Sequence, residues 1–254
     1  MKLYVQTLAL DAMPWIAAIF AELNRLTDID WTWSVVEGAA MPNGSTNWIA
    51  RQAPRLSLDG TTEFMEALAD CHPRVRYCSR KEWASKDAMC AAAIEPFTEP
   101  GVLLQVDGDE LHSADQLRRI VHLFEDDPQL MNARFHCRYF VGPNLITTDA
   151  GKPDEWRRAW RYAPGMQWVT HEPPNLAGNR GRSLSRQETT ALGLVFDHYA
   201  YGLPKHVAQK EKLYGAKYAG AMAGWVKLQA NTKWPLADAG RFVPAFKGTP
   251  VDRV

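Results

Sequence analysis

Residues 103–117, "LLQVDGDELHSADQL", hold the pattern on which the fold turns. Leu103, Leu104, Gln105 and Val106 run without a break into Asp107, Asp109 and Glu110. A short, mostly apolar run of this kind describes a strand covered on both faces. A helix starts directly behind it. Ser113 followed by Gln116 makes a capping box, and Leu117, Ile120, Val121 and Phe124 share one apolar stripe. Three carboxylates at the end of a buried strand repel one another, and enclosing each costs several kcal/mol unless a cation stands between them.

Working outward, "LYVQTLAL" (3–10) reads as a buried strand, and Pro14 opens a helix with Ile16, Ile19, Phe20, Leu23 and Leu26 at helical spacing. "WTWSVVEGAA" (31–40) is a second strand, followed by a turn-rich loop over 41–60 and the helix "TTEFMEALAD" (61–70). "RVRYCSR" (74–80) is a third strand, "KEWASKDAMCAAAIE" (81–95) a third helix and "GVLLQV" (101–106) the fourth strand. This alternation predicts an α/β fold with a mostly parallel central sheet and helices on both faces. Ligands of such sheets bind beyond the carboxyl ends of the strands, which is where the residues at 107–110 stand. Past residue 130 the alternation weakens. "LMNARFHCRYFVGPNLITT" (130–148) reads as one long strand or a hairpin, and "MQWVTHEPPNL" (166–176) as a strand ending in a polar turn. "LGLVFDHYAY" (192–201) is a further strand and "PKHVAQKEKLYG" (204–215) a helix, before a tail punctuated by Pro and Gly. The second part is expected to be mixed and to pack on the first with no independent fold.

The 29 basic and 29 acidic residues cancel, so no global field draws the chain onto nucleic acid or an anionic membrane. No run of eighteen apolar residues occurs, which argues against a transmembrane segment. The start, "MKLYVQTLALDAMPW", reaches Asp11 quickly and reads as a strand rather than a signal peptide. A cytoplasmic location is expected. Cys71, Cys78, Cys90 and Cys137 form no C-x-x-C pair and read as reduced core thiols, not a zinc site. Of ten tryptophans, Trp31, Trp33, Trp48, Trp83, Trp156, Trp160 and Trp168 lie near element edges. There they could stack on sugar or base rings or pack the core. In "EWRRAWRYAPG" (155–165), Arg157, Arg158 and Arg161 interleave with Trp156, Trp160 and Tyr162. That pattern suits either a grip on an anionic polymer or a half-buried helix with a solvated basic face.

Closely spaced carboxylates offer oxygen ligands to a hard divalent cation, magnesium or manganese, with a bound diphosphate completing the coordination sphere. Such an ion would neutralise the charge on a departing diphosphate. His171 and Glu172 stand before Pro173 and Pro174, which would hold their turn stiff. A transfer to a hydroxyl needs a base, for which Glu172 is the candidate, with His171 beside it and Asp154 and Glu155 as alternatives.

These segments, in order, resemble family 2 glycosyltransferases of the GT-A fold over residues 1 to about 215. The landmarks are Glu37 at the end of the second strand, Asp59-Gly60-Thr61 opening the next helix, Trp83-x-x-Lys86-x-x-Met89 and "VDGDEL". "QWVTHEPPNL" and "FDHYAYGLPKHVAQKE" follow in the family's order. The resemblance implies one GT-A domain over 1–254, with 1–112 binding the nucleotide sugar and 113–254 forming the acceptor side and a helical tail. It implies a metal-dependent, inverting transfer from a nucleoside-diphosphate sugar, a UDP-sugar first among them. By resemblance Asp109 and His198 would hold Mn2+ or Mg2+, and Asp107 would lie near the ribose and donor sugar. Glu37 would contact the base or ribose, Lys86 a phosphate, and Asp59 the donor side. The chain departs from the family in separating Glu37 from "SLDGT" by about twenty residues and in placing Lys86-Asp87 where the family has Arg-Asn. The acceptor stays open among glycan, lipid-linked, protein and nucleic-acid classes, and the lack of an amphipathic or membrane tail points to a soluble or recruited one. Two other functions remain. One is a sugar nucleotidyltransferase, although its glycine-rich phosphate loop is missing from "ALDAMPW". The other is a non-enzymatic carbohydrate- or nucleic-acid-binding module.

Overall fold

The computed structural model describes residues 1–142, 145–147, 157–230 and 248–250. Asp154, Glu155 and Trp156 lie outside these residues. The first part alternates as expected: β1 (Lys2–Ala9), α1 (Trp15–Asn24), β2 (Trp31–Ala40), α2 (Thr61–Cys71), β3 (Val75–Trp83), α3 (Lys86–Ile94) and β4 (Gly101–Gln105). Then come β5 (Glu110–Leu111), α4 (Ala114–Asp126), β6 (Leu130–Arg134), β7 (His136–Val141), β8 (Leu145–Thr147) and β9 (Arg157–Tyr162). The remaining elements are β10 (Trp168–Thr170), β11 (Asn175–Leu176), β12 (Arg182–Leu184), α5 (Arg186–Ala191), β13 (Val195–Tyr201), α6 (Pro204–Tyr214), α7 (Ala221–Ala230) and β14 (Gly248–Pro250).

The central sheet runs β12-β6-β9-β4-β1-β2-β3. β1, β2, β3 and β4 are parallel, and β9 enters antiparallel between β4 and β6. Strand alternation sorts the two faces. Leu3, Val5, Trp33, Val102 and Leu104 pack with Ile16 and Leu23 of α1, Met65 of α2 and Ile120 and Phe124 of α4. Tyr4, Leu103 and Trp160 face the other way, onto Cys90 and Ile94 of α3. The α/β class and the mostly parallel sheet expected from the sequence are what the chain adopts. A second sheet runs β14-β8-β7-β13-β5.

Several boundaries differ from the sequence expectation. β2 spans 31–40 as expected, but Glu37 stands inside it and not at its end, before a bulge at which Gly38 takes φ +137 and a Cβ would lie 1.8 Å from the Arg80 carbonyl oxygen. Pairing beyond that bulge (Ala39 with Glu82, Ala40 with Trp83) draws Lys81–Trp83 into β3, so α3 starts at Lys86 behind an Ser85 cap. The segment 157–162 is a strand and not a helix. Period-2 alternation puts Trp160 and Tyr162 on the α3 face, and Arg158 is 4 % exposed. Arg161, on the opposite face, donates to the Leu130 and Asp127 carbonyl oxygens at 2.9 Å each, so Arg158 and Arg161 are held by the protein itself. β6, β9 and β12 complete the first sheet rather than forming a separate layer. Cys71 and Cys78 are exposed, against the expectation of core thiols. Trp31, Trp33, Trp83, Trp160 and Trp168 are core residues, while Trp48 is 45 % exposed and stacks on Tyr214. No helix among the described residues is long and apolar enough to cross a membrane.

Candidate functional site

β4 delivers Asp107 to the carboxyl edge of the sheet, and the chain turns at once, the Glu110 N–H donating to the Asp107 carbonyl oxygen at 2.9 Å. Gly108 permits this turn, since a Cβ on it would come within 2.9 Å of the Ala12 Cβ. The cation required by the carboxylates is Arg158, two residues along β9 from Trp160, which pairs with Leu103. Its guanidinium donates to both Glu110 oxygens, at 2.5 and 3.1 Å, and to Asp107 Oδ2 at 3.2 Å. Asp107 Oδ1 accepts from Gln105 Nε2 at 2.9 Å. Burial pushes the Asp107 carboxyl up, but Arg158 and His171 outweigh it and hold it below its ordinary value. For Glu110, wholly buried, burial wins and the pKa is raised.

Asp109 points elsewhere. The β13–β5 pairing sets His198 opposite Glu110, and the Tyr199 N–H donates to the Asp109 carbonyl oxygen at 2.7 Å. His198 Nε2 thereby comes within 3.4 Å of Asp109 Oδ1, and Lys210 Nζ, from α6, within 3.0 Å of Oδ2. Burial of Asp109 is outweighed by Lys210 and His198, and its pKa lies well below the usual carboxylate range. The two residues expected to share a divalent ion are therefore neighbours, but the ammonium of Lys210 stands against the carboxylate that would bind it. Among the described residues no group of three or more His, Cys, Asp or Glu side chains converges as a metal site. As arranged, these residues do not fit Mn2+ or Mg2+: Asp107 is engaged by Arg158 and Gln105, and Asp109 by Lys210 and His198.

The β10–β11 turn carries His171 and Glu172 to the same edge. Asp87, in the first turn of α3, accepts from the Ser45 N–H (2.7 Å), the Ser45 hydroxyl (2.5 Å) and the His171 N–H (2.6 Å). The Glu172 N–H donates to Ser45 Oγ at 3.1 Å. His171 is buried, with Nδ1 3.4 Å from Gln105 Nε2 and 3.6 Å from Cys90 Sγ. Burial and then Lys86 push its pKa down to about 4, so the ring is neutral near pH 7. Glu172 is exposed, and Lys86 is half-buried at the start of α3. Asp107, His171, Glu172 and Lys86 thus occupy one side of the strand end, and Asp109 with His198 the other.

Glu37 and Asp59 serve a third region. Glu37 is fully buried, accepts from the Ser57 N–H (2.7 Å) and the Thr62 hydroxyl (2.6 Å), and is bonded by the Tyr77 hydroxyl. Asp59 Oδ1 accepts from the Thr61 hydroxyl at 2.6 Å, while Oδ2 accepts from the Met13 N–H (3.0 Å) and Lys205 Nζ (2.6 Å). Burial acts against these bonds, yet the Asp59 pKa stays lowered, chiefly through Lys205 and Thr61. The N–H groups of Asp11, Ala12 and Met13 all donate to side chains, those of Ser57, Thr61 and Asp59. The turn after β1 therefore offers no set of spare amides to cradle a triphosphate, which counts against the nucleotidyltransferase reading.

Sequence patterning overlooked four residues of this site. Arg158 was detectable from the alternation Arg158-Trp160-Tyr162, which is a strand period. Asp87, Ser45 and Lys210 carry no local signal, since each acts on a residue at least 42 positions away.

The sequence matches no protein-family model and no curated protein. Among solved structures the chain is similar to S. aureus TarS residues 1–349 in complex with UDP-GlcNAc, at 13% identity and a TM-score of 0.39, over 61% of this chain and 38% of that one. It is also similar to the mannosyltransferase PcManGT from Pyrobaculum calidifontis in complex with GDP-Man and Mn2+, at 15% identity and a TM-score of 0.46, over 82% of this chain and 63% of that one. The chain spans under half the length of the TarS structures it matches. Likeness of this degree carries neither a donor nor a metal across to this chain.

Proposed function

We propose that this chain is a glycosyltransferase that moves a sugar from a nucleoside-diphosphate sugar, a UDP-sugar first among them, to an acceptor hydroxyl with inversion. The observation that supports this reading most is the placement of two groups at the carboxyl end of β4, Asp107 with His171 on one side and Asp109 with His198 on the other. Parallel α/β sheets bind their ligands at that edge. In this reading residues 1–112 form the donor side and residues 113–254 the acceptor side. Asp107 and Asp109 flank the donor sugar and its diphosphate, and Lys86 contacts a phosphate at the start of α3. Glu37 and Asp59 act through the loop they clasp, because their oxygens are already taken by protein donors. Glu172, exposed on a turn anchored by Asp87 and Ser45, takes the proton of the acceptor hydroxyl as its oxygen attacks the anomeric carbon. The bond from that carbon to the diphosphate breaks, and the diphosphate leaves with the electron pair. His171, neutral and enclosed, orients the turn.

The test is release of nucleoside diphosphate from a panel of UDP- and GDP-sugars offered with simple glycoside acceptors. Glu172→Gln is expected to lower transfer by roughly a hundredfold or more while donor binding stays intact. Transfer at the original rate in that variant would remove Glu172 as the base.

A further inference from the structure

We propose that Lys210 is the cation that receives the donor's diphosphate, so that this chain binds a nucleoside diphosphate without a divalent ion. The inference rests on the glycosyl-transfer reading and concerns the same site.

Leaving-group stabilisation at a strand end requires positive charge facing the bridging and terminal phosphate oxygens. Besides Lys86 at the start of α3, Arg158 and Lys210 bring positive charge against the strand-end carboxylates. The Arg158 side chain is buried, and its guanidinium donates to Glu110 and Asp107, so it neutralises the strand end from within. Lys210 is different. Its side chain is 19 % exposed, it reaches Asp109 from α6, and an ammonium has three donors of which Asp109 takes one. It also lies 5.7 Å from the centre of the Tyr201 ring, which holds the ammonium in place on its second side. A divalent ion bound by Asp109 would have to displace an ammonium 3.0 Å from the carboxylate and stand beside His198 at the other oxygen.

The seat of α6 supports the same assignment. Gln209 donates to the Leu10 carbonyl oxygen at 3.3 Å, Lys205 to Asp59 at 2.6 Å, and the Ala50 N–H to the Leu213 carbonyl oxygen at 2.7 Å. The helix thus lies across the ends of β1 and the 41–60 loop, and it holds Lys210 at the edge where the leaving group would sit. On the Asp107 side Gln105 is wholly buried, its Nε2 bonds Asp107, and its Oε1 has no protein partner. That oxygen is an acceptor and calls for a donor, which a water or a sugar hydroxyl supplies and a diphosphate oxygen does not.

Calorimetric titration of the purified chain with UDP and with GDP, once in EDTA and once in manganese, tests the assignment. One of the two is expected to bind in EDTA about as tightly as in manganese. Lys210→Met is expected to weaken binding in EDTA by roughly tenfold or more, the loss that follows removal of a charged hydrogen-bond donor. Lys210→Arg, which keeps the charge, is expected to retain most of the affinity, and it decides the matter if the methionine variant melts too low to titrate. Binding that requires manganese, or equal affinity of Lys210→Met and the original chain in EDTA, overturns the role of Lys210 and leaves the transferase reading standing. Binding of neither nucleotide under either condition overturns the transferase reading itself.

Discussion

Arg158 is the residue on which the strand end depends. It is enclosed, and it compensates one carboxylate that is wholly buried and another that is mostly so. Breaking such a pair from one side leaves an uncompensated charge, which costs about 3–5 kcal/mol. Arg158→Met is therefore expected to lower unfolding stability by about that amount in a denaturant titration, and Arg158→Lys by less. A variant as stable as the original would mean that Glu110 is neutral in the folded protein. The buried histidines set the pH dependence. His112 stacks on Phe196 at 5.0 Å, and burial pushes its pKa from 6.5 to about 3. His171 is pushed from 6.5 to about 4, also mainly by burial. Between those lowered values and 6.5 the unfolded chain binds more protons than the folded one, so stability is complete above that window and falls as pH drops through it. The melting temperature is expected to decline from pH 7 to pH 4.5, and His112→Phe to make the decline shallower. A flat profile over that range would contradict the neutral, buried state of both rings.

At the scale of elements, α4 illustrates what local chemistry can specify. Its capping box at Ser113 and Gln116 and its apolar stripe are both present in the folded chain. The boundary between β3 and α3 illustrates the opposite. "KEWASK" has a helical look, but Lys81–Trp83 pairs with β2, and only the tertiary partner decides between the two states. Asp87 shows how α3 holds the β10–β11 turn. Asp87→Ala leaves the Ser45 and His171 donors without their acceptor, an expected loss of roughly 1–3 kcal/mol, measured by thermal or denaturant unfolding, with sugar transfer falling alongside. Gly38→Ala is expected to be destabilising as well, since the added Cβ meets the Arg80 carbonyl oxygen at 1.8 Å and the residue must keep φ +137. Unfolding at the original midpoint in that variant would show that the bulge can relax.

At the scale of the whole molecule, α6 closes the site from the far end of the chain. Its lysines reach Asp59 and Asp109, which belong to different loops at the carboxyl edge of the sheet. If the donor binds there, amide exchange over residues 204–214 is expected to slow when the nucleoside diphosphate that binds is added. Unchanged exchange along the whole of α6 would detach this helix from the donor site.

The sequence by itself determined the α/β alternation, the burial of the fourth strand and the convergence of acidic residues at its end. Those properties follow from periodicity and capping, which neighbouring residues settle among themselves. It also brought His198 into association with Asp109, through resemblance and not through spacing. Only the tertiary structure decided what neutralises the carboxylates. Arg158 and Lys210 lie 51 and 101 positions from their respective partners Asp107 and Asp109. Charge compensation depends on distance in space, and no local pattern records which distant strand or helix will supply the cation.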